Sequence, residues 1–494
     1  MTGDVKINAK KFGLDLSKIA SGTFISQIIL VVLTTVITRI YDPAVYGIAS
    51  TFAAITNILL VVCCLRYEQA VMLPESDQDS GNLLAGCVII LSVFSIVLIP
   101  IILLFGDVLL GFFNLTTLSP YLILIPAIIF VGGIFLSLKF WNLRKKRFGT
   151  QATTQVLQYV VYPGSQIGLG LSGFATAGSI IISDIIAKIP CICVYFIQFI
   201  KDDCKKILSG LSPKQIKAQL IKYKKFPLFN TWSELLYCLS WQLPVLLLAS
   251  FFSDAVAGQY SLAYRSLLLP LSLIGGSIGQ VLFQRAAVAV HNNTLPELVE
   301  EIVSLIITIS FLPMLMMAIL GADIFSVIFG EQWGLAGLLV QILSIWMIVW
   351  FIASPLMNLI NVLGIQGFGL KYNILSVVAR GGALIIGGLS GNVYVALILF
   401  TAISFILDSY IGYSLISKSG SSIRKITGLI VKPCVVSISI FLILFVVYII
   451  INSLFTGLLA SILSIGVAGL LGLLYVIYLF KRNPLVCSYL KIWS

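Results

Sequence analysis

Residues 81–105 read GNLLAGCVIILSVFSIVLIPIILLF, and none of these side chains is charged. As a helix rising 1.5 Å per residue, such a run is long enough to cross the roughly 30 Å hydrocarbon layer of a bilayer. Further along, residues 139–149 read KFWNLRKKRFG, a short stretch dense in cations. This alternation of uncharged run and charged loop continues to the end of the chain. About fourteen apolar runs can be marked out on this length scale. They lie near 17–39, 46–65, 81–105, 119–138, 150–171, 174–200, 228–251, 256–283, 298–320, 334–357, 372–389, 391–416, 429–450 and 455–479. Of the 494 residues 59% are apolar and 10% are charged, against roughly 25% charged in a soluble domain. Mean hydropathy is +1.08. So few charges cannot cover the surface of a soluble protein of this size, whereas lipid requires none. The sequence predicts an all-α polytopic membrane protein.

The loop charges orient the runs. Apart from Arg39, Lys188, Arg265 and Arg380, every Lys and Arg falls in a tail or in alternate loops: 66–79, 139–149, 201–225, the segments holding Arg285 and Lys371, and 418–432. The intervening loops carry Asp42, Asp107, Asp254, Asp323 and Glu331 and no lysine. Cation-rich loops stay on the cytoplasmic side, so both termini are expected there and the number of spans is expected to be even. Residues 1–16 are polar and basic, and the first apolar run is too long for a signal-peptide core, so that run is expected to persist as an anchor. The net charge of +12 does not indicate a nucleic-acid partner, because the cations are dispersed over these short loops. The nine cysteines lie mostly in apolar runs (Cys63, Cys64, Cys87, Cys191, Cys193, Cys238, Cys434) without metal-ligand spacing, and read as small core hydrophobes. No metal or cofactor is called for.

Charges inside the runs cost roughly 2.5–3.5 kcal/mol each at mid-membrane and are kept only where they face a wet cavity or a partner. Lys188 and Asp184 stand four apart on one helix face and can pair locally. Arg265 and Arg380 have no local partner. They line a central cavity or make interhelical salt bridges, for which Asp408 and Glu234 are the available acids. A cavity bearing Arg and Lys suits an anion, and phosphate or diphosphate best, because guanidinium pairs with their oxygens through two parallel hydrogen bonds. The single histidine, His291, falls in a cytoplasmic loop, so any coupling proton would sit on Asp184, Glu234 or Asp408. Prolines at 100, 126, 163, 190, 244, 270, 313 and 355 punctuate the runs and permit bent helices.

A faint repeat links Tyr41–Gly47 with Phe252–Gly258: Ala44 matches Ala255, Val45 matches Val256, and Gly47 matches Gly258. Both copies follow an odd-numbered run, so the repeat is parallel. It predicts a six-helix lobe at 1–200, a basic cytoplasmic linker at 201–227, a second six-helix lobe at 228–417, and two additional helices with a tail at 418–494.

The stretch Ser21–Pro74, with Gly22, Ser26-Gln27, Thr38-Arg39-Ile40-Tyr41, Pro43, Tyr46-Gly47, Leu65-Arg66-Tyr67-Glu68 and Leu73-Pro74, resembles the start of bacterial polysaccharide-transport proteins. These are the O-antigen and capsule flippases of the Wzx type, in the multidrug/oligosaccharidyl-lipid/polysaccharide (MOP) exporter superfamily. The resemblance implies two six-helix bundles in a V shape plus two C-terminal helices. It implies an undecaprenyl-diphosphate-linked oligosaccharide as substrate, turned from the inner to the outer leaflet of the bacterial inner membrane. It also implies ion-coupled alternating access, with H+ or Na+ as coupling ion, through a cationic lumen, and contact with bilayer lipid and with polymerase and other polysaccharide-assembly proteins. Arg39 and Arg66 with Glu68 fall within the matching motif and carry over as functional positions; Lys188, Arg265 and Arg380 rest on their depth alone. Arg66 with Glu68 reads equally as an inner-leaflet anchor with its counterion.

Other readings meet specific obstacles. Asp77-Gln78-Asp79 has the form of the DxD motif of glycosyltransferases, but no catalytic domain surrounds it. The short outer loops argue against a polymerase, and the absence of a G-x-x-x-x-G-K-[ST] stretch argues against an ATP-driven pump. The chain is therefore not expected to be an enzyme. A drug–cation antiporter of the same superfamily would want acids facing its lumen, and a lipid II flippase would share the diphosphate carrier.

Overall fold

The computed structural model describes residues 29–482. The Ser21–Gln27 part of the motif, the N-terminal lysines and Lys491 lie outside these residues. Among the described residues the chain is helical throughout, with no strand. It forms two compact units that meet in sequence at Gly258 and Gln259.

The first unit contains α1 (described over Ile29–Ile40), α2 (Pro43–Val62), the short α3 (Tyr67–Ala70), α4 (Asp77–Phe112) and α5 (Ile125–Arg144), the last preceded by a 3₁₀ stretch at Thr116–Leu124. It continues with α6 (Phe148–Leu171), α7 (Ala177–Asp202), α8 (Cys204–Leu208), α9 (Pro213–Lys222), α10 (Thr231–Phe251) and the start of α11 (Asp254–His291). The second unit holds the rest of α11, then α12 (Leu295–Phe329), α13 (Gly334–Leu356), α14 (Leu359–Val362), α15 (Gln366–Leu389), α16 (Val393–Lys418), α17 (Ile423–Leu454) and α18 (Leu458–Arg482).

Among the described residues the expected runs fall on helices, the first of them from Ile29 onward. Eleven helical segments among the described residues are long and apolar enough to cross a membrane, and the protein is a multi-pass membrane protein. The remaining three runs correspond to α1, α6 and α11. The runs 372–389 and 391–416, separated by little in the sequence, are two helices: Gly391 takes a positive φ of 69°, and the Asn392 side chain accepts from the Tyr394 amide to cap α16. The apolar faces point outward as a lipid-facing helix requires. Leu104 and Val108 on α4 are each 70% exposed, and Phe112 is 80% exposed.

In the first unit α2 packs against α5, α7 and α10. A core of Tyr67, Ala70, Val71, Leu83, Cys87, Trp141 and Ile207 joins the C-terminal side of α2 to α4, α5 and α8. Buried Trp141 donates from Nε1 to Asp203 Oδ2 at 2.9 Å. In the second unit α12 packs against α13, α17 and α18, and α16 packs against both α13 and α15.

By its packing the first compact unit extends to Gly258, because α10 runs antiparallel along α2. The two additional helices, α17 and α18, pack on α12 through Leu320, Leu444 and Ala468.

Candidate functional site

At the C-terminal end of α2 the chain turns sharply. Leu65 and Arg66 are consecutive non-glycine residues at positive φ, 51° and 61°. That region is sparsely populated for side-chain-bearing residues and is kept only where the surroundings enforce it. Here α3 enforces it: Ala70 and Val71 are fully buried, and the Tyr67 hydroxyl donates to the Leu220 carbonyl at 2.8 Å.

The turn places Arg66 between two carboxylates. Its Nη2 lies 2.8 Å from Glu234 Oε2 on α10, and its Nη1 lies 3.5 Å from Glu68 Oε1. The acids differ in setting, since the Glu68 side chain is 2% exposed and that of Glu234 is 43% exposed. Arg66 Nε and Glu68 Oε2 are both buried without a hydrogen-bond partner. Buried polar atoms are normally satisfied, so a spare donor and a spare acceptor sit together at one site. The Arg39 side chain is exposed at the end of α1, and that of Arg265 is exposed on α11 in the second unit.

Burial holds the Glu68 carboxyl above the ordinary glutamate range, and the Arg66 charge only partly opposes it. A carboxyl raised by folding costs stability above the ordinary glutamate range and nothing below it. Glu68→Gln should therefore melt at a higher temperature than wild type at about pH 8 and alongside it at about pH 4. A gap of the same size at both pH values would contradict this account of Glu68.

On α7 the expected local pair forms, with Lys188 Nζ 2.6 Å from Asp184 Oδ2. Lys188 is 12% exposed and Asp184 33% exposed. Gly132 on α5 lies beside this pair and makes room for Leu60 of α2: a methyl group at that position would fall 2.8 Å from the Leu60 side chain.

The Arg380 side chain is 2% exposed and enclosed by partners. Its Nη2 donates to both oxygens of Asp408, at 2.9 and 3.0 Å, and its Nε donates to Ser404 Oγ at 3.1 Å. Its guanidinium stacks 5.4 Å from the Trp346 ring. Asp408 also accepts from Trp346 Nε1 at 2.5 Å and from the Tyr372 hydroxyl. This network joins α13, α15 and α16 through an interhelical salt bridge.

The residues of the DxD-like stretch have protein partners. Asp77 pairs with Arg144 and Lys145, and Asp79 accepts from Gln219 at 2.6 Å. They tie the α4 start to α5 and α9.

One site was legible only as a repeat. Gly47 and Gly258, the matched glycines, touch. A methyl group on Gly47 would fall 1.7 Å from the Asp254 carbonyl oxygen, and one on Gly258 would fall 2.0 Å from that of Pro43. Only glycine at both positions permits this backbone approach.

Residues 36–337 match the family model described as polysaccharide biosynthesis protein. The chain belongs to that family. No curated protein matches its sequence. Among solved structures, the lipid II flippase MurJ in an inward closed conformation is similar with a TM-score of 0.72 and 12% identity, over 94% of this chain and 98% of that one. An inward-facing multidrug resistance MATE transporter of the MOP superfamily gives 0.59 and 14% identity, over 82% and 95%. A MOP superfamily transporter from Pyrococcus furiosus gives 0.57 and 12% identity, over 84% and 97%. At such identities the likeness is one of fold. This member of the polysaccharide biosynthesis family has the fold of MOP-superfamily flippases and transporters.

Proposed function

We propose that the protein is a flippase for an undecaprenyl-diphosphate-linked oligosaccharide, an O-antigen or capsule repeat unit. It moves the headgroup from the inner to the outer leaflet of the bacterial inner membrane, with fourteen crossings and both termini in the cytoplasm. The observation that carries this reading is Arg66, held between a buried and an exposed carboxylate at the inner end of α2. A diphosphate arriving from the inner leaflet competes with Glu234 for the guanidinium, which pairs well with phosphate oxygens. Glu68, left behind with an unsatisfied oxygen, takes a proton as Arg66 turns to the substrate; H+ is then the coupling ion. Lys188 supplies a second cation, shared with Asp184, and Arg39 and Arg265 supply exposed ones. Carrying a diphosphate and sugars through bare hydrocarbon would be very costly, and such a path lets the lipid tail remain in the bilayer.

The α2 seam is shut at both ends, by Arg66 with Glu234 at one end and by Gly47 against Asp254 and Gly258 at the other. In this proposal the glycine contact is the outer closure. Gly47→Leu should prevent it, abolish transport and expose a cysteine placed at buried Ala257 to a membrane-impermeant maleimide added from outside. Protection of that cysteine in the Gly47→Leu background, with transport intact, would contradict the assignment.

Deleting the gene and assaying which leaflet holds the lipid-linked repeat unit tests the function. Loss of surface polymer with intact units trapped in the inner leaflet is the expected result. Units reaching the outer leaflet normally, with only polymer missing, would instead favour a polymerase.

A further inference from the structure

We propose that residues 201–232 form a docking surface for the anionic phospholipid of the inner leaflet. The sequence reads this basic stretch as a linker, but it is a folded piece fastened to the inner end of α4. The Asn82 amide donates to the Gly210 carbonyl and to Gln215 Oε1, each at 3.1 Å, and its oxygen accepts from the Ser212 amide at 3.2 Å. Gln219 donates to Asp79, and the Leu220 carbonyl accepts from Tyr67. Leu220 packs over Gly86 and Ile207 over Gly81 so closely that a methyl group at either glycine would meet them at 3.0 and 2.5 Å. A segment held at so many points presents its outward side chains in a fixed arrangement.

That outward side has two components. Lys214, Lys217, Lys222, Lys224 and Lys225 are exposed, and among the described residues none of them pairs with a carboxylate. The sequence offers them no acid nearby, since residues 204–233 contain neither Asp nor Glu. Asp202 and Asp203, just before, are taken by Lys145 and Arg147. Beside the lysines stand exposed apolar groups: Ile221 at 55%, Leu228 at 57%, Phe229 at 67% and Trp232 at 60%. Lys214, Lys217 and Ile221 recur at the three- and four-residue spacing that shares one helix face.

This pairing of cations with exposed aromatics is the chemistry of a membrane–water boundary. Aromatic rings settle at the headgroup level, and lysines are drawn to the negative potential of the cytoplasmic leaflet. Trp232 lies in the first turn of α10, itself part of a membrane-crossing segment, which sets the platform at that level. An acidic soluble partner would satisfy the lysines but leave Phe229 and Trp232 in water, so the phospholipid surface is the better complement. The proposal does not depend on which lipid-linked glycan is carried.

The test uses the full-length protein reconstituted in phosphatidylcholine bilayers with spin-labelled lipid, in which the motionally restricted fraction reports protein-bound lipid. Wild type should select spin-labelled phosphatidylglycerol over phosphatidylcholine several-fold, and high salt should reduce the preference. Changing the five lysines together to glutamine should bring the preference close to unity, while changing them to arginine should retain it. An unchanged melting temperature in both variants shows that the fold is intact. A phosphatidylglycerol preference equal in wild type and in the glutamine variant would overturn the proposal. So would loss of an acidic protein partner with no change in lipid selectivity.

Discussion

Asp408→Ala should leave the protein unable to accumulate in folded form. The substitution strips Arg380 of its counter-charge in a site where the guanidinium is 2% exposed, and it orphans the Trp346 and Tyr372 donors as well. Removing one partner of a buried ion pair costs about 3–5 kcal/mol, a large share of a typical folding free energy. The yield of monodisperse protein after mild heating measures the effect. Replacing both members, Arg380→Met with Asp408→Leu, removes the desolvation cost together with the attraction, so most of the stability and the transport should return. That double variant separates the two roles considered for Arg380. If it folds and melts like wild type yet fails to transport, Arg380 acts on the substrate and not only on the fold.

The second large effect falls at Arg66. Arg66→Ala should still fold, because one partner, Glu234, is 43% exposed and the other, Glu68, already held above the ordinary glutamate range by burial, can take a proton when the guanidinium is gone; the variant should lose transport. A hydrogen bond to a charged group is worth about 1.5–3 kcal/mol, so one lost diphosphate contact weakens headgroup binding by roughly 10- to 100-fold. Arg66→Lys should recover only part of this, since an ammonium keeps the charge and loses the paired geometry. Glu234→Gln should act in the opposite direction and tighten headgroup binding, because it removes the competitor for Nη2. Weaker binding in Glu234→Gln would show that the acid helps to hold the substrate.

These two sites mark where sequence reasoning reaches and where it stops. That Arg380 and Asp408 sat in apolar runs was legible, because a bilayer makes any mid-run charge conspicuous. Their pairing was not: Asp408 and Glu234 were equally eligible partners, and only the packing of α15 on α16 assigns Asp408 to Arg380 and leaves Glu234 to Arg66. The Lys188–Asp184 pair was fully legible, because partners four apart on one helix need no tertiary information. The helices themselves follow from composition, whereas the attachment of α10 to the first unit depends on side-chain fit along α2. The repeat pointed to Gly47 and Gly258 as equivalent, yet nothing local says that equivalent positions touch. Segment 201–227 read as a linker because it is the longest basic loop and lies between the two copies of the repeat. The polar residues that fasten it, Asn82 and Gln219, carry no pattern of their own.

The most direct measurement is flipping by the purified protein in liposomes containing a short-chain undecaprenyl-diphosphate oligosaccharide, with sidedness read by an added glycosidase that cannot cross the bilayer. The account predicts protein-dependent exchange between leaflets that is lost in Arg66→Ala, retained in the Arg380→Met/Asp408→Leu variant, and absent for a neutral glycolipid bearing the same sugars. Equal flipping of the neutral and diphosphate lipids, unaffected by Arg66→Ala, would contradict it.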